Sequence, residues 1–314
     1  QQNNNQQQQQ KEKKYYNQQQ NNNQQKNNQQ SIEIQNIARQ YFIAAEPILW
    51  PIDNTFVEKT QYVLYNDDRF SVPFNRSGSR WEHLGLLGPP LRVMPGETIQ
   101  VVFFNNASFP CSITPHGLIT LGDGHPLVSP GTQHVYQFFA PKTAGPSTDT
   151  TDTSNMYMYH STHETSSPTA AIDSGLLGPI LITRSGWATS SSNLMPFKID
   201  TEFVLVSTGS HTINGLHPDA IQLSASSDDT IRWYLGAVGH SSTDLKSIHF
   251  TFAALESRKQ QTRSSFALMP GVIDIGDMQP LQRCGNWPIQ FTGNQSVLFQ
   301  ISCDESDGGR RMRV

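Results

Sequence analysis

Side chains able to bind metals or act as nucleophiles are sparse in this 314-residue chain, which has 10 His, 7 Met and 3 Cys. His160 and His163 close the run Met156-Tyr157-Met158-Tyr159-His160-Ser161-Thr162-His163. On a regular strand these two imidazoles would face opposite ways, and a bulge or loop is needed to reunite them. Met156 and Met158 share the strand face of His160, where alternate methionines pack a core or act as soft ligands. His125 and His134 lie near turns and read as surface residues, while His249 sits inside a strand and reads as structural. Cys111, Cys284 and Cys303 are too few for a disulfide scaffold. There is no Gly-x-Gly-x-x-Gly or phosphate-loop pattern, and no Gly-x-Ser-x-Gly elbow.

The elements that must position these residues read as strands. β-branched and aromatic runs recur between Gly and Pro turn signals: 62–65, 99–104, 135–139, 180–182, 203–206, 231–235, 248–252 and 297–301. Such spacing predicts an all-β chain of antiparallel sandwiches or barrels. The first thirty residues differ: 23 are Gln or Asn, and Tyr15 and Tyr16 are the apolar candidates. This tract cannot bury enough surface to offset its chain entropy and is expected to be disordered. Its four lysines and Glu12 give it +3, which leaves −7 on the remaining 284 residues. An acidic body argues against nucleic acid as a main partner. No apolar run approaches the roughly 18 residues of a membrane span. A secretory signal is absent, but the chain starts at Gln1, so its absence does not argue for the cytoplasm.

Two diverged copies are visible. Glu97-Thr98-Ile99 matches Asp229-Thr230-Ile231, Leu127-Val128-Ser129-Pro130-Gly131 matches Leu268-Met269-Pro270-Gly271, and Tyr157-Met158-Tyr159-His160 matches Pro288-Ile289-Gln290-Phe291. Matches in the same order at similar spacing imply tandem copies of one β-fold. The Ser-rich segment 185–197 reads as the join. The expected organisation is a tail over 1–31, a first domain over 32–190 and a second over 191–314. Segment 147–155, rich in Ser, Thr and Asp, reads as an exposed loop, and the basic end Arg310-Arg311-Met312-Arg313-Val314 as solvent-exposed.

The segments 84–118, 158–184 and 211–239 resemble the paired A-type domains of ceruloplasmin, hephaestin and coagulation factors V and VIII. These belong to the multicopper oxidase family. The likeness runs from about residue 41 to Cys303. It implies two tandem cupredoxin-like Greek-key β-barrels. It leaves two functions open: a copper-dependent, ferroxidase-like oxidase, or a non-enzymatic module like the coagulation cofactors.

The family's ligand positions separate the copies. In the second, the resemblance places a type 1 copper His at Lys246, a trinuclear-site His at Thr251 and the thiolate at Phe291; loop 292–296 offers no second His. No type 1 copper is expected there. In the first, one His-x-His pair maps to Thr114-Pro115-His116 and the other to His160-Ser161-Thr162-His163. His116, His160 and His163 remain, and three imidazoles with water can hold zinc or copper. They are either relics of a lost cluster or ligands of one metal. The resemblance also pairs Cys303 with a position that reads Ser226 here, so Cys284–Cys303 is the expected disulfide, against two free thiols. Cys111 is expected to be a buried free thiol. The sequons at Asn75, Asn106 and Asn294 fit a secreted, extracellular glycoprotein. The favoured expectation is a secreted structural or interaction module with degenerate copper ligands. Its expected partners are a protein or additional cupredoxin domains. The alternative is a fragment of an oxidase whose other ligands come from further domains.

Overall fold

The computed structural model describes residues 37–52, 55–147, 152–162, 175–191, 193–208, 212–238, 246–250, 255–257, 262–263, 265–268, 273–279, 285–291 and 295–302. Among these there is no α-helix. The first half contains β1 (Ile37–Ile52), β2 (Thr55–Tyr65), β3 (Leu91–Val93), β4 (Thr98–Asn105), β5 (Thr114–Pro115), β6 (Ile119–Leu121), β7 (Gln133–Phe139), β8 (Ser154–His160) and β9 (Leu177–Thr183). The second contains β10 (Thr201–Thr208), β11 (Gln222–Ser226), β12 (Ile231–Val238), β13 (Lys246–Phe250), β14 (Leu255–Ser257), β15 (Thr262–Arg263), β16 (Ser265–Leu268), β17 (Ile273–Met278), β18 (Gly285–Phe291) and β19 (Gln295–Ser302).

The two halves repeat one plan. The first pairs sheet β2-β1-β4-β7-β6 with sheet β3-β9-β8-β5; the second pairs β10-β12-β17-β14-β15 with β11-β19-β18-β13-β16. β4 lies parallel to β1 and antiparallel to β7, as β12 does to β10 and β17. Alternation explains the first sheet: Ile99, Val101 and Phe103 of β4 point into the first core, while Gln100, Val102 and Phe104 point away. The second core gathers Phe203, Trp233, Phe250, Phe266 and Phe299.

Between them lies a third apolar layer. Met156, Met158, Leu177 and Leu181 on the outer face of β8 and β9 meet Val204, Val206, Tyr234 and Ile275 of β10, β12 and β17. Strands covered on both faces carry continuous apolar runs, which is why 180–182, 203–206 and 233–235 do not alternate. The methionines beside His160 therefore pack this seam.

Polar groups cross the seam as a network. Arg92 of β3 is ion-paired with Glu202 of β10. Tyr234 Oη donates to Glu202 Oε1 at 2.8 Å and lies 2.9 Å from Ser154 Oγ. Arg232 donates to Thr153 Oγ1 and Ser154 Oγ, each at 2.7 Å, and to both carboxylate oxygens of Asp277. The expected exposed loop at 147–155 is corrected here. Thr153 and Ser154 are buried, and Ser154 begins β8, because Arg232 supplies the donors that their hydroxyls need.

The edge strand β10 is closed by the segment 212–214, whose Ile213 bridges Ser207 and whose Asn214 N–H donates to the Val206 carbonyl at 2.8 Å, and by two side chains. His83 Nε2 accepts from the Val204 N–H at 3.0 Å. The Asn214 amide accepts from the Val206 N–H and donates to the Val204 carbonyl, each at 2.8 Å. Edge N–H and C=O groups are thereby satisfied and unavailable for pairing with another chain.

Candidate metal site

The site is built where β5 meets β8. Thr114 is directly opposite His160, and Pro115 opposite Tyr159. The His116 N–H donates to the Met158 carbonyl at 2.9 Å, which extends the register by one residue. His116, Thr114 and His160 thus share one face of the sheet. Gly117 follows with φ +75°, and a Cβ there would lie 2.7 Å from the Tyr157 ring. Glycine is required to turn the chain immediately after His116.

The two imidazoles converge. His116 Nε2 and His160 Nε2 are 3.0 Å apart, with the rings stacked at 27°. His160 Nδ1 lies 3.0 Å from the Ser161 carbonyl. That carbonyl accepts only if Nδ1 carries the proton, so Nε2 of neutral His160 presents its lone pair toward His116. Partial burial, and then the neighbouring His160, hold the His116 pKa below the usual histidine value. Both effects favour the neutral, ligating form.

Below the pair, hydroxyls fix the loop that leaves β8. The Ser112 N–H donates to Ser161 Oγ at 3.0 Å, and the Thr162 N–H donates to Ser112 Oγ at 3.1 Å. The Ser161 N–H donates to the Leu176 carbonyl at 3.2 Å. Ser112 and Ser161 are buried. This clamp holds Ser161 where its carbonyl sets the His160 tautomer, and sequence reading missed it because serine spacing carries no such signal.

Two nitrogens 3.0 Å apart fit within the reach of one cation bound at about 2.0–2.1 Å from each. The donor set therefore suits a single zinc or copper ion. His163 lies outside the described residues. Among the described residues no group of three or more His, Cys, Asp or Glu gathers. His125 is exposed and bonded to Thr120, as expected for a surface residue; His134 is half-buried against Tyr136.

The corresponding place in the second half has different chemistry. There His249 of β13 pairs with Gln290 of β18, the register equivalent of Thr114 and His160, while Ile248 pairs with Phe291 and Lys246 lies two residues before Ile248. Phenyl offers no lone pair, and Lys246 would have to lose its proton to ligate. These residues do not fit a type 1 copper. Thr251 lies outside the described residues, as do Cys284, Cys303 and Asn294. Cys111 is a buried free thiol, and burial pushes its pKa up to about 12. Asn75 and Asn106 are exposed.

Comparison with known proteins agrees with this architecture. Residues 84–186 match the multicopper oxidase family model. Hephaestin from Mus musculus is 29% identical over 262 residues, covering 70% of this chain and 22% of hephaestin. Coagulation factor V from Pseudonaja textilis is 28% identical over 308 residues, covering 80% of this chain and 21% of that protein. The chain thus spans about a fifth of the length of these curated relatives. A copper nitrite reductase from Nitrosomonas europaea superposes with a TM-score of 0.59 at 15% identity, covering 84% of this chain and 93% of that one, a likeness of fold. Residues 84–186 are a multicopper oxidase domain of cupredoxin type, in a chain homologous to hephaestin and coagulation factor V.

Proposed function

We propose that this chain is a secreted cupredoxin pair, with domains over 32–190 and 191–314 behind the 1–31 tail, that serves as a structural or interaction module and holds one metal ion, copper by family, in its first domain. The observation that carries the reading is the chemistry of equivalent strands: His116 and His160 converge at 3.0 Å where β5 meets β8, whereas the thiolate and imidazole positions that the family would use on β18 and β13 read Phe291 and Lys246. Without a thiolate the second domain has no type 1 centre to accept electrons from a substrate. Bound at His116 and His160, copper would supply a Lewis-acid or redox centre; the protein's part is to fix the His160 tautomer and favour the neutral His116 imidazole. Secretion is supported by the exposed sequons at Asn75 and Asn106 and by kinship with a coagulation factor. No helix among the described residues is long and apolar enough to cross a membrane. The span of one fifth of its relatives supports further cupredoxin domains as partners. Elemental analysis of the purified chain tests the metal. One ion per chain, lost in His160→Ala, is the expected result; metal-free protein after copper loading would refute it.

A further inference from the structure

The metal corner stands on the outer face of β8, and the residues on either side of His160 turn the other way. Tyr159 and Ser161 are buried, and Tyr159 belongs to the first core. There Tyr62 of β2 reaches across from the opposite sheet. It is fully buried, its ring centroid is 5.3 Å from that of Tyr159, and its Oη donates to the Ser112 carbonyl. Ser112 lies between two fixed points of the chain. Cys111 exchanges two backbone hydrogen bonds with Val128, and Thr114 is held opposite His160. Ser112 itself is fully buried, so loss of the phenol would strip a buried carbonyl of its donor. Tyr62 thereby fixes the Ser112 backbone.

Ser112 passes that constraint to the other strand. Its N–H donates to Ser161 Oγ at 3.0 Å, and its Oγ accepts from the Thr162 N–H at 3.1 Å. The Thr162 N–H and the Ser161 carbonyl belong to one peptide group. That group is planar and trans, so its N–H and C=O point in opposite directions. Holding the N–H on Ser112 aims the carbonyl away from Ser112, and it lies 3.0 Å from His160 Nδ1. The contacts run without a gap from Tyr62 Oη through Ser112 and the 161–162 peptide to the imidazole. A ligating histidine commonly has its second nitrogen fixed in this way, by a carbonyl that accepts its proton.

We propose that Tyr62 is a positioning residue for His160, a role whose purpose rests on the one-metal reading: its phenol fixes Ser112, Ser112 orients the Ser161–Thr162 peptide, and that peptide keeps the imidazole proton on Nδ1. Without the phenol the peptide is free to rotate, and His160 samples the form that carries its proton on Nε2, where a metal would bind. Tyr62→Phe keeps the ring against Tyr159 and removes the hydroxyl alone; Ser112→Ala breaks the same path one step later. Imidazole nitrogen NMR of the full, metal-free chain at about pH 8, where the rings are neutral, reads the tautomer. His160 in the Nδ1–H form in the starting protein, and a mixture of both forms in Tyr62→Phe and Ser112→Ala, is the expected result. Zinc titration should show binding weakened at least about tenfold in both variants. Tyr136→Phe removes another phenol of the same core, one that donates to the Pro126 carbonyl at 2.7 Å, and should change neither readout. An Nε2–H tautomer in the starting protein, an unchanged tautomer in both Tyr62→Phe and Ser112→Ala, or an equal change in Tyr136→Phe would overturn the proposal. A starting protein that binds no zinc, yet shows the tautomer change in both variants, would refute the metal reading and still support the positioning of His160 by Tyr62.

Discussion

β8 and β18 occupy the same place in two copies of one plan, yet their ends differ in chemistry. At β8, His160 faces His116 across 3.0 Å; at β18, Gln290 stands opposite His249 in the equivalent register and Phe291 closes the strand opposite Ile248. Both strands still carry their pairing and their inward side chains, with Tyr159 and Ile289 fully buried. Ligands stand at strand ends, where substitution disturbs little packing. On the proposed reading, the cores and the seam hold the shape of each half, while the corner holds the metal.

If that separation is real, seam and corner substitutions have different readouts. The largest effect is expected at the seam. Glu202→Gln leaves Arg92 buried without its counter-charge, at a cost of about 3–5 kcal/mol in denaturant unfolding. Metal content of the folded protein should not change. A loss of metal without a loss of stability would break the comparison.

Acid should act on the seam as well. Burial is the main reason that the His83 pKa falls to about 4 in the folded chain, against 6.5 for the unperturbed group. The neutral ring is needed because Nε2 accepts from Val204. Its contribution is complete above about pH 6.5 and disappears as pH falls through about 4, a loss on the order of 3 kcal/mol. Unfolding midpoints at pH 7 and pH 4.5 measure it, and His83→Gln should flatten the pH dependence.

Corner substitutions are smaller in energy and specific to metal. His160→Ala should weaken copper or zinc binding at least about tenfold, with the unfolding midpoint nearly unchanged. Thr114→His sharpens the comparison in the other direction. It restores an imidazole directly opposite His160 on the ligand face, and metal titration should show affinity raised about tenfold. Phe291→Cys in the second half should give no blue-copper absorption, since no imidazole partner has been placed with it.

Much of this was legible in the sequence. β-branched alternation gave β4 and β7, continuous apolar runs gave β9, β10 and β12, and the three ordered matches gave the repeat of sheet plans. The family's ligand spacing singled out His116 and His160, whose side chains the fold brings together. Other features were not, for physical reasons. His83 and Asn214 close β10 together although 131 residues separate them, and neither type carries a periodic signal. Thr153 and Ser154 read as loop because nothing local reveals that Arg232 supplies their hydrogen bonds.

The central claim is that the first half retains one metal corner and the second retains none. Copper loading followed by elemental analysis and visible and paramagnetic resonance spectra tests it most directly. The account predicts one copper per chain, no intense blue band, and loss of that copper in His160→Ala. An intense blue-copper band, or copper that persists in His160→Ala, would contradict it.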